Sequence, residues 1–256
     1  MFSRRVHYHA PEGVKAPCAL GGSCYIGFLD DRTVLKYPHV QGRDWEYIVA
    51  EWKIYSILGS YPRILTCFGL DDRGLKLEFA PNGTVRGALE SVMALSARQR
   101  IIWCRQTAEA IKYAHSKFII HCNISTDNLL LDGNLDVKLS DFQGRLNDPS
   151  TGSTILDGSA LEPVKSCLPR PIGQDTERSD IFALGSTFYE IITGHEPFPE
   201  LDSFDDEEEI RGRYERAEFP ATNTVIAGEI IYKCWFQVYQ SAAECLRDLV
   251  ALEEQT

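Results

Sequence analysis

Apolar residues change their spacing near residue 80. Before that point they come in short runs. Tyr25–Leu29 and Thr33–Tyr37 flank the polar turn Asp30-Asp31-Arg32, a pattern that predicts a β-hairpin. Ile64–Leu70 and Leu75–Phe79 predict two further strands. Between them, Trp45, Ile48, Val49, Trp52, Tyr55 and Leu58 recur at helical spacing and Gly59 supplies a stop, so a helix is expected over Asp44–Leu58. The breaker cluster Ala80-Pro81-Asn82-Gly83 closes this part of the chain.

After it the pattern becomes helical. Ser96-Ala97-Arg98-Gln99 has the form of a capping box and opens a helix with Ile101, Cys104, Ala108, Ile111 and Ala114 on one face. Leu129–Asp132 and Leu135–Leu139 flank Gly133-Asn134, a second hairpin. Ser179–Thr193 is strongly apolar and ends at Gly194, which predicts a buried helix. Helical segments near 226–236 and 241–254 follow. Asp141–Arg170 is polar and rich in Gly, Ser, Thr, Asp and Pro, and reads as one long loop, functional or disordered. The division is an irregular leader (1–13), a strand-rich lobe (14–80) and a larger helical lobe (81–256), with the join near Phe79–Asn82.

Composition narrows the classes. The 256 residues suffice for a core without staples, and 44% hydrophobic with 25% charged residues is an ordinary globular balance. The net charge of −11 argues against nucleic-acid or anionic-membrane binding. No apolar run approaches the ~18 residues of a membrane span. Eight cysteines without a C-x-x-C pair, in a chain with no apolar leader, predict reduced thiols and a cytoplasmic or nuclear location. A monomer is expected.

The candidate chemistry lies in polar motifs between these elements. Val34-Leu35-Lys36 ends a strand, and Glu51 lies on the next helix. His121-Cys122-Asn123 is followed by Asn128, and Asp141-Phe142-Gln143 comes after the second hairpin. Ser179-Asp180-Ile181-Phe182-Ala183-Leu184-Gly185 opens the buried helix. In this order and spacing the motifs resemble a eukaryotic-type protein kinase domain over about residues 14–254. More narrowly, Asp141-Phe142-Gln143-Gly144-Arg145, Gly194-His195-Glu196-Pro197-Phe198-Pro199-Glu200 and Ser241-Ala242-Ala243-Glu244 are similar to the compact single-domain kinase-like proteins of filamentous fungi. The resemblance implies a bilobal α+β fold, with a small antiparallel sheet and one helix in the N-lobe and a larger, mainly helical C-lobe.

It also implies ATP and Mg²⁺ as cofactors. Phosphoryl transfer is mostly positioning and charge neutralisation. Lys36 is then expected on the α- and β-phosphates, with Glu51 pairing its ammonium. Asn128 and Asp141 are expected to ligate Mg²⁺, which prefers oxygen donors. Backbone groups of Glu78 and Ala80 are expected on adenine, with Leu77 behind it and Ile26, Val34 and Leu130 sandwiching the base. Taken singly, Lys36 and Glu51 read equally as solvated charges, and Asn128 and Asp141 as turn residues.

The chain departs from the kinase pattern at several positions. The Gly-rich loop is eroded, with Ala19, Gly21 and Cys24 at its three places, which predicts weaker nucleotide binding. Asn123 replaces the catalytic Asp and cannot take a proton as a carboxylate does. Cys122 replaces the arginine that receives a phosphorylated activation loop, and Ser125 replaces a lysine beside the transferring phosphate. Gln143 replaces a glycine, although Gly144 follows, so flexibility is expected to move by one residue. Leu168-Pro169-Arg170 stands where Ala-Pro-Glu is expected and Tyr239 where its arginine partner would be, so both halves of that buried ion pair are expected to be absent.

Other signals have plainer readings. The acidic run 205–209 reads as a solvated helix N-terminus. Trp45, Trp52, Trp103 and Trp235 read as packing, and Arg98, Arg100 and Arg105 as a solvated face. His115 and His121 near Cys104 and Cys122 lack zinc-site spacing. The first functional expectation is an ATP/Mg²⁺-binding kinase-like domain with Ser/Thr-type transfer weakened or lost, a pseudokinase. An active protein serine/threonine kinase is the second, and a small-molecule kinase the third. The Ser179–Gly185 segment disfavours the third, as does 141–170, where small-molecule kinases insert helices. A protein substrate or regulatory partner is expected, of unknown identity.

Overall fold

The computed structural model describes residues 10–20, 24–39, 44–91, 94–171 and 173–256. The N-terminal part is an antiparallel sheet of β1 (Pro17–Leu20), β2 (Cys24–Phe28), β3 (Thr33–Pro38), β4 (Cys67–Leu70) and β5 (Leu75–Glu78), in the order β1-β2-β3-β5-β4. Helix α1 (Trp45–Leu58) joins β3 to β4 and stops at Gly59, whose φ of 63° suits a residue without Cβ. Register decides what the sheet presents. Ile26 lies opposite Lys36, Val34 opposite Leu77, and Lys36 opposite Leu75. Side chains alternate along a strand, so Ile26, Val34, Lys36, Leu75 and Leu77 share one face. Strand β1 was not anticipated from the sequence. The loop positions Gly21, Gly22 and Ser23 lie outside the described residues, while Ala19 belongs to β1 and Cys24 opens β2, buried.

The C-terminal part is mainly helical. It contains α2 (Val85–Glu90), α3 (Ala97–His115), α4 (Glu177–Thr193), α5 (Glu207–Glu215), α6 (Gly228–Trp235) and α7 (Ala242–Glu254). Ser96 caps α3 by accepting from the Gln99 amide at 3.1 Å. Helix α4 runs through the core, buried over almost its whole length, between α3 and α6. Gly185 permits that approach: a Cβ there would lie 2.8 Å from Cys234 Cβ. The acidic residues Glu207, Glu208 and Glu209 occupy the exposed first turn of α5, as expected. Trp103 and Trp235 are fully buried, and Trp45 and Trp52 pack on the core edge.

Two expectations are corrected. Residues 141–170 are not a structureless loop. They contain β9 (Arg145–Asn147), β10 (Thr154–Asp157) and a 3-10 turn (Val164–Ser166), and β9 pairs with β6 (Ile119–Ile120). Strands of two to four residues are too short to show a period. Of the three arginines expected on a solvated face, Arg98 is exposed, but Arg100 and Arg105 are half-buried. Arg100 donates to the Ile191 carbonyl, Arg105 pairs with Glu109 and Glu253, and Arg98 reaches the Glu253 carbonyl at 3.2 Å, tying α3 to α4 and α7. No helix among the described residues is long and apolar enough to cross a membrane.

Candidate active site

The site assembles around Lys36. The sheet register aims this lysine at α1, where the Glu51 carboxylate meets its ammonium at 2.7 Å. Asp141, which follows the hairpin of β7 (Leu129–Leu131) and β8 (Val137–Leu139), contacts the same ammonium. The side chains of Lys36 and Glu51 are 8% and 0% exposed. Burial opposes the charge on Lys36, but Asp141 and Glu51 outweigh it and hold the ammonium above its usual range. Burial also raises Asp141, and here Lys36 more than offsets it, so Asp141 stays below the ordinary carboxylate value. Glu51 is raised, because burial exceeds its share of one cation divided between two acids. Gln143 adds a long contact to Glu51 at 3.5 Å.

The loop carrying Asn123 is held from beneath. The carboxylate of Asp180, at the start of α4, accepts from the amides of His121 at 2.8 Å and Cys122 at 3.0 Å. His115 Nε2 contacts it at 2.9 Å. Cys122 adopts φ 60°, a conformation that costs a non-glycine residue about 1–2 kcal/mol, and the Asp180 contact offsets that cost. His121 Nδ1 accepts from the Asn123 amide at 3.2 Å, so Nε2 carries the proton and donates to the Ser140 carbonyl at 3.0 Å. Burial keeps His121 below its usual pKa, hence neutral. Phe142 is fully buried between Tyr55 and His121, with ring centroids at 5.2 and 4.9 Å. This stack couples α1 to the Asn123 loop.

Asn123, Asn128 and Asp141 converge. Asn128 Nδ2 donates to the Asn123 carbonyl at 2.8 Å, which leaves the Asn128 amide oxygen as its acceptor. Asn123 Nδ2 donates to Asp141 Oδ2 at 3.3 Å, so its oxygen is likewise the remaining acceptor. A carboxylate and an amide oxygen beside a buried cation are donors of the kind Mg²⁺ prefers. Glu51 Oε1 has no hydrogen-bond partner among the described residues. The residues expected around adenine also lie together. Val34, Leu77 and Ala80 are buried, Ile26 and Leu130 half-buried, and Leu130 bridges to Thr84 beyond the join. The Glu78 carboxylate binds the Thr66 amide and hydroxyl and Lys138, and its amide donates to the Thr66 carbonyl at 2.8 Å.

The segment after Asp141 is held by close packing and by two arginine clusters. Gly144 is required for space, since a Cβ there would lie 2.0 Å from the Ile120 carbonyl oxygen. An acid–arginine pair is present in this region, built differently. Glu162, 4% exposed at its side chain, meets Arg170 at 2.7 Å, and Arg170 also contacts Asp175. Tyr239 donates to Asp248 at 2.6 Å instead of supplying a cation. Arg145 binds Asp157 at 3.1 Å, Asp175 at 2.5 Å and the Gly173 carbonyl, so its charge is already committed within the chain. Cys122 lies close enough to feel this cluster, and burial pushes its thiol well up.

Asp180, Arg145 and Tyr55 stand in motifs and periodic runs named from the sequence, but no role at the site was assigned to them there. An acid inside an apolar helix was the available signal for Asp180, because a buried charge demands partners. Among the described residues no cluster of His, Cys, Asp or Glu is arranged to hold a metal by itself.

Comparison with known proteins agrees with the geometry. Residues 35–244 match the model of the protein tyrosine and serine/threonine kinase family. The chain is 30% identical to Aurora kinase A-B of Xenopus laevis over 62% of its own length and 38% of that protein. It is 31% identical to an Aurora kinase of Dictyostelium discoideum, over 54% and 36%. It is 26% identical to mitogen-activated protein kinase kinase kinase 17 of Arabidopsis thaliana, over 74% and 54%. The chain thus spans between about a third and a half of these relatives. With most of its length matched, in the order the site requires, the chain belongs to the protein tyrosine and serine/threonine kinase family.

Proposed function

We propose that this domain binds ATP with Mg²⁺ between its two parts and that Ser/Thr-type phosphoryl transfer to protein is weakened or lost. The observation that carries the reading is the buried Lys36–Glu51–Asp141 cluster with Asn123 hydrogen-bonded to Asp141. Lys36 would hold the α- and β-phosphates, and Asp141 with Asn128 the metal. Glu78 and Ala80 would meet adenine, lined by Leu77, Ile26, Val34 and Leu130. Since the Glu78 amide is committed to Thr66, its carbonyl and the Ala80 amide are the backbone groups in question. Mg²⁺-ATP supplies the transferable phosphoryl group. Asn123 can orient an acceptor hydroxyl through its amide oxygen but cannot accept the proton.

The second reading is an active serine/threonine kinase, favoured by the edge-to-face Tyr55–Phe142–His121 packing beside Asp141. A small-molecule kinase is less well supported: short strands and a 3-10 turn, with no α-helix among the described residues, occupy 141–170. We further propose a monomer of the cytoplasm or nucleus that engages a protein partner rather than nucleic acid or membrane. Within the family, the nearest kinship we propose is with the compact fungal kinase-like proteins.

The test is transfer from labelled ATP with Mg²⁺, comparing the protein with Asn123→Asp, on itself and on a basic protein. Transfer by Asn123→Asp alone supports the reading. Equal transfer by both overturns it in favour of the active kinase. Absence of a thermal shift with Mg²⁺-ATP overturns nucleotide binding itself.

A further inference from the structure

Beside the Asn123 loop, three carboxylates converge on one guanidinium. Arg86 of α2 places Nε 2.8 Å from Asp127, Nη1 2.8 Å from Glu190 and Nη2 2.8 Å from Glu196, so each nitrogen has its own acid. Asp127 belongs to the Asn123–Asn128 loop, Glu190 is a buried residue of α4, and Glu196 follows α4. Among the described residues, Lys165 is the other cation paired with this group, 3.4 Å from Glu196. Arg86, Glu190, Glu196, Lys165, His195 and Pro199 line a surface pocket of about 270 Å³ here. The Arg86 amide also donates to the Thr126 carbonyl at 3.2 Å, which fixes the arginine to the same loop.

The planar fork of arginine matches this arrangement, and lysine could not serve three separated acids. Without Arg86 the three acids would face only Lys165. Glu190, 8% exposed at its side chain, would then be a buried carboxylate without its cation.

We propose that Arg86 is a built-in specificity residue: it fills, with a guanidinium of this chain, an acidic socket beside the acceptor position, so that the partner segment need not bring a basic side chain there. The inference rests on the kinase reading for the location of the acceptor, but the socket itself does not. Emptying it creates a guanidinium site. A substrate-side arginine, which would otherwise find the acids already engaged by Arg86, then gains an anionic pocket.

The test uses Arg86→Ala and, should that variant fold poorly, Arg86→Gln. Methylguanidinium is the first probe, with tetramethylammonium at equal ionic strength as control. Methylguanidinium should raise the melting temperature of the emptied variant and leave the parent unchanged, and Glu190→Gln in the same background should abolish the rise. The second probe is a labelled serine peptide with arginine next to the serine, compared with its citrulline analogue. The parent should bind the two within about twofold, and the variant should favour arginine by about tenfold, or ~1.4 kcal/mol. No methylguanidinium response overturns the socket. A response without peptide discrimination keeps the socket and overturns its place beside the acceptor, and with it that part of the kinase reading. Arginine preference in the parent overturns the proposal outright.

Discussion

The carboxylate of Asp180 is bonded to the backbone amide of Cys122, 58 residues earlier in the chain, and to that of His121 beside it. One buried acid therefore sets the path of the loop that presents Asn123. Asp180→Ala would strand two buried amides and His115 together. A loss of about 3–5 kcal/mol is expected in urea unfolding. Asp180→Asn keeps the shape but loses the charge, and should cost less. Equal stability of all three proteins would show that the loop is held by other contacts.

Lys36 serves two acids that, among the described residues, have no second lysine or arginine partner. Lys36→Met should destabilise by about 3–5 kcal/mol and abolish the thermal shift with Mg²⁺-ATP. Adding Glu51→Gln should restore part of the stability but none of the nucleotide response. This non-additivity, measured as a double-mutant cycle, separates the structural role of the cluster from its binding role.

Asn123→Asp should raise transfer by about 10²–10⁴-fold, the range general-base catalysis supplies. Its affinity for Mg²⁺-ATP should change little, since Asn123 touches Asp141 and lies away from the adenine side. A change confined to affinity would mean that the residue acts through the metal site.

Stability should depend on pH along two limbs. Asp180 is held low, because His115 and the backbone bonds outweigh burial. The unfolded state binds its proton first on acidification, so stability falls as pH drops below about 4. Glu162 and Glu190 are pushed up to about 7 by burial, only partly relieved by Arg170 and Arg86. Between about pH 4.5 and 7 the folded state therefore binds more protons than the unfolded state, and stability falls as pH rises. Urea midpoints at pH 5 and pH 8 measure this limb. Glu162→Gln should shrink the difference by up to about 3 kcal/mol.

Gly144→Ala places a methyl group against the Ile120 and His121 carbonyls, where the chain has no room. A cost of at least ~1–3 kcal/mol is expected in thermal or urea unfolding. Gly83→Ala is a useful control: its Cβ would meet nothing within 4 Å, but its φ of 70° carries a backbone cost alone.

The parts of this fold that were legible in the sequence share one property: enough length to show a period. Trp45 to Leu58 and Ser179–Thr193 each span about four turns, so each declared itself. Strands β6 and β9 could not, because two or three residues have no period and are ordered only by each other. The candidate site was legible as a set of residue types at ordered spacings. Its supports were not. Arg100 looks like one more charge on a helix surface until the Ile191 carbonyl arrives from α4. Arg145 looks like a loop arginine until Asp157 and Asp175 fold onto it. Such partners are set by tertiary approach, which a local window does not contain.

The ties on Arg145 and Arg170 can also be viewed as cuts in a polymer loop. Arg145 to Asp157 closes 12 residues, Glu162 to Arg170 closes 8, and Arg170 to Asp175 closes 5. A long, entropically costly excursion is thereby divided into short ones, each closed within the chain itself. The exposed tip at Ser150, Thr151 and Ser153 lies inside the first of these loops; it takes no part in the Arg145–Asp157 pair, and Ser153 closes a shorter turn by accepting from the Asp148 amide at 2.7 Å. Closure entropy grows only logarithmically, so doubling that loop would cost about 0.6 kcal/mol. Evolution, or an engineer, can therefore vary chain length at this tip cheaply, whereas a deletion between Glu162 and Asp175 would remove the cuts themselves.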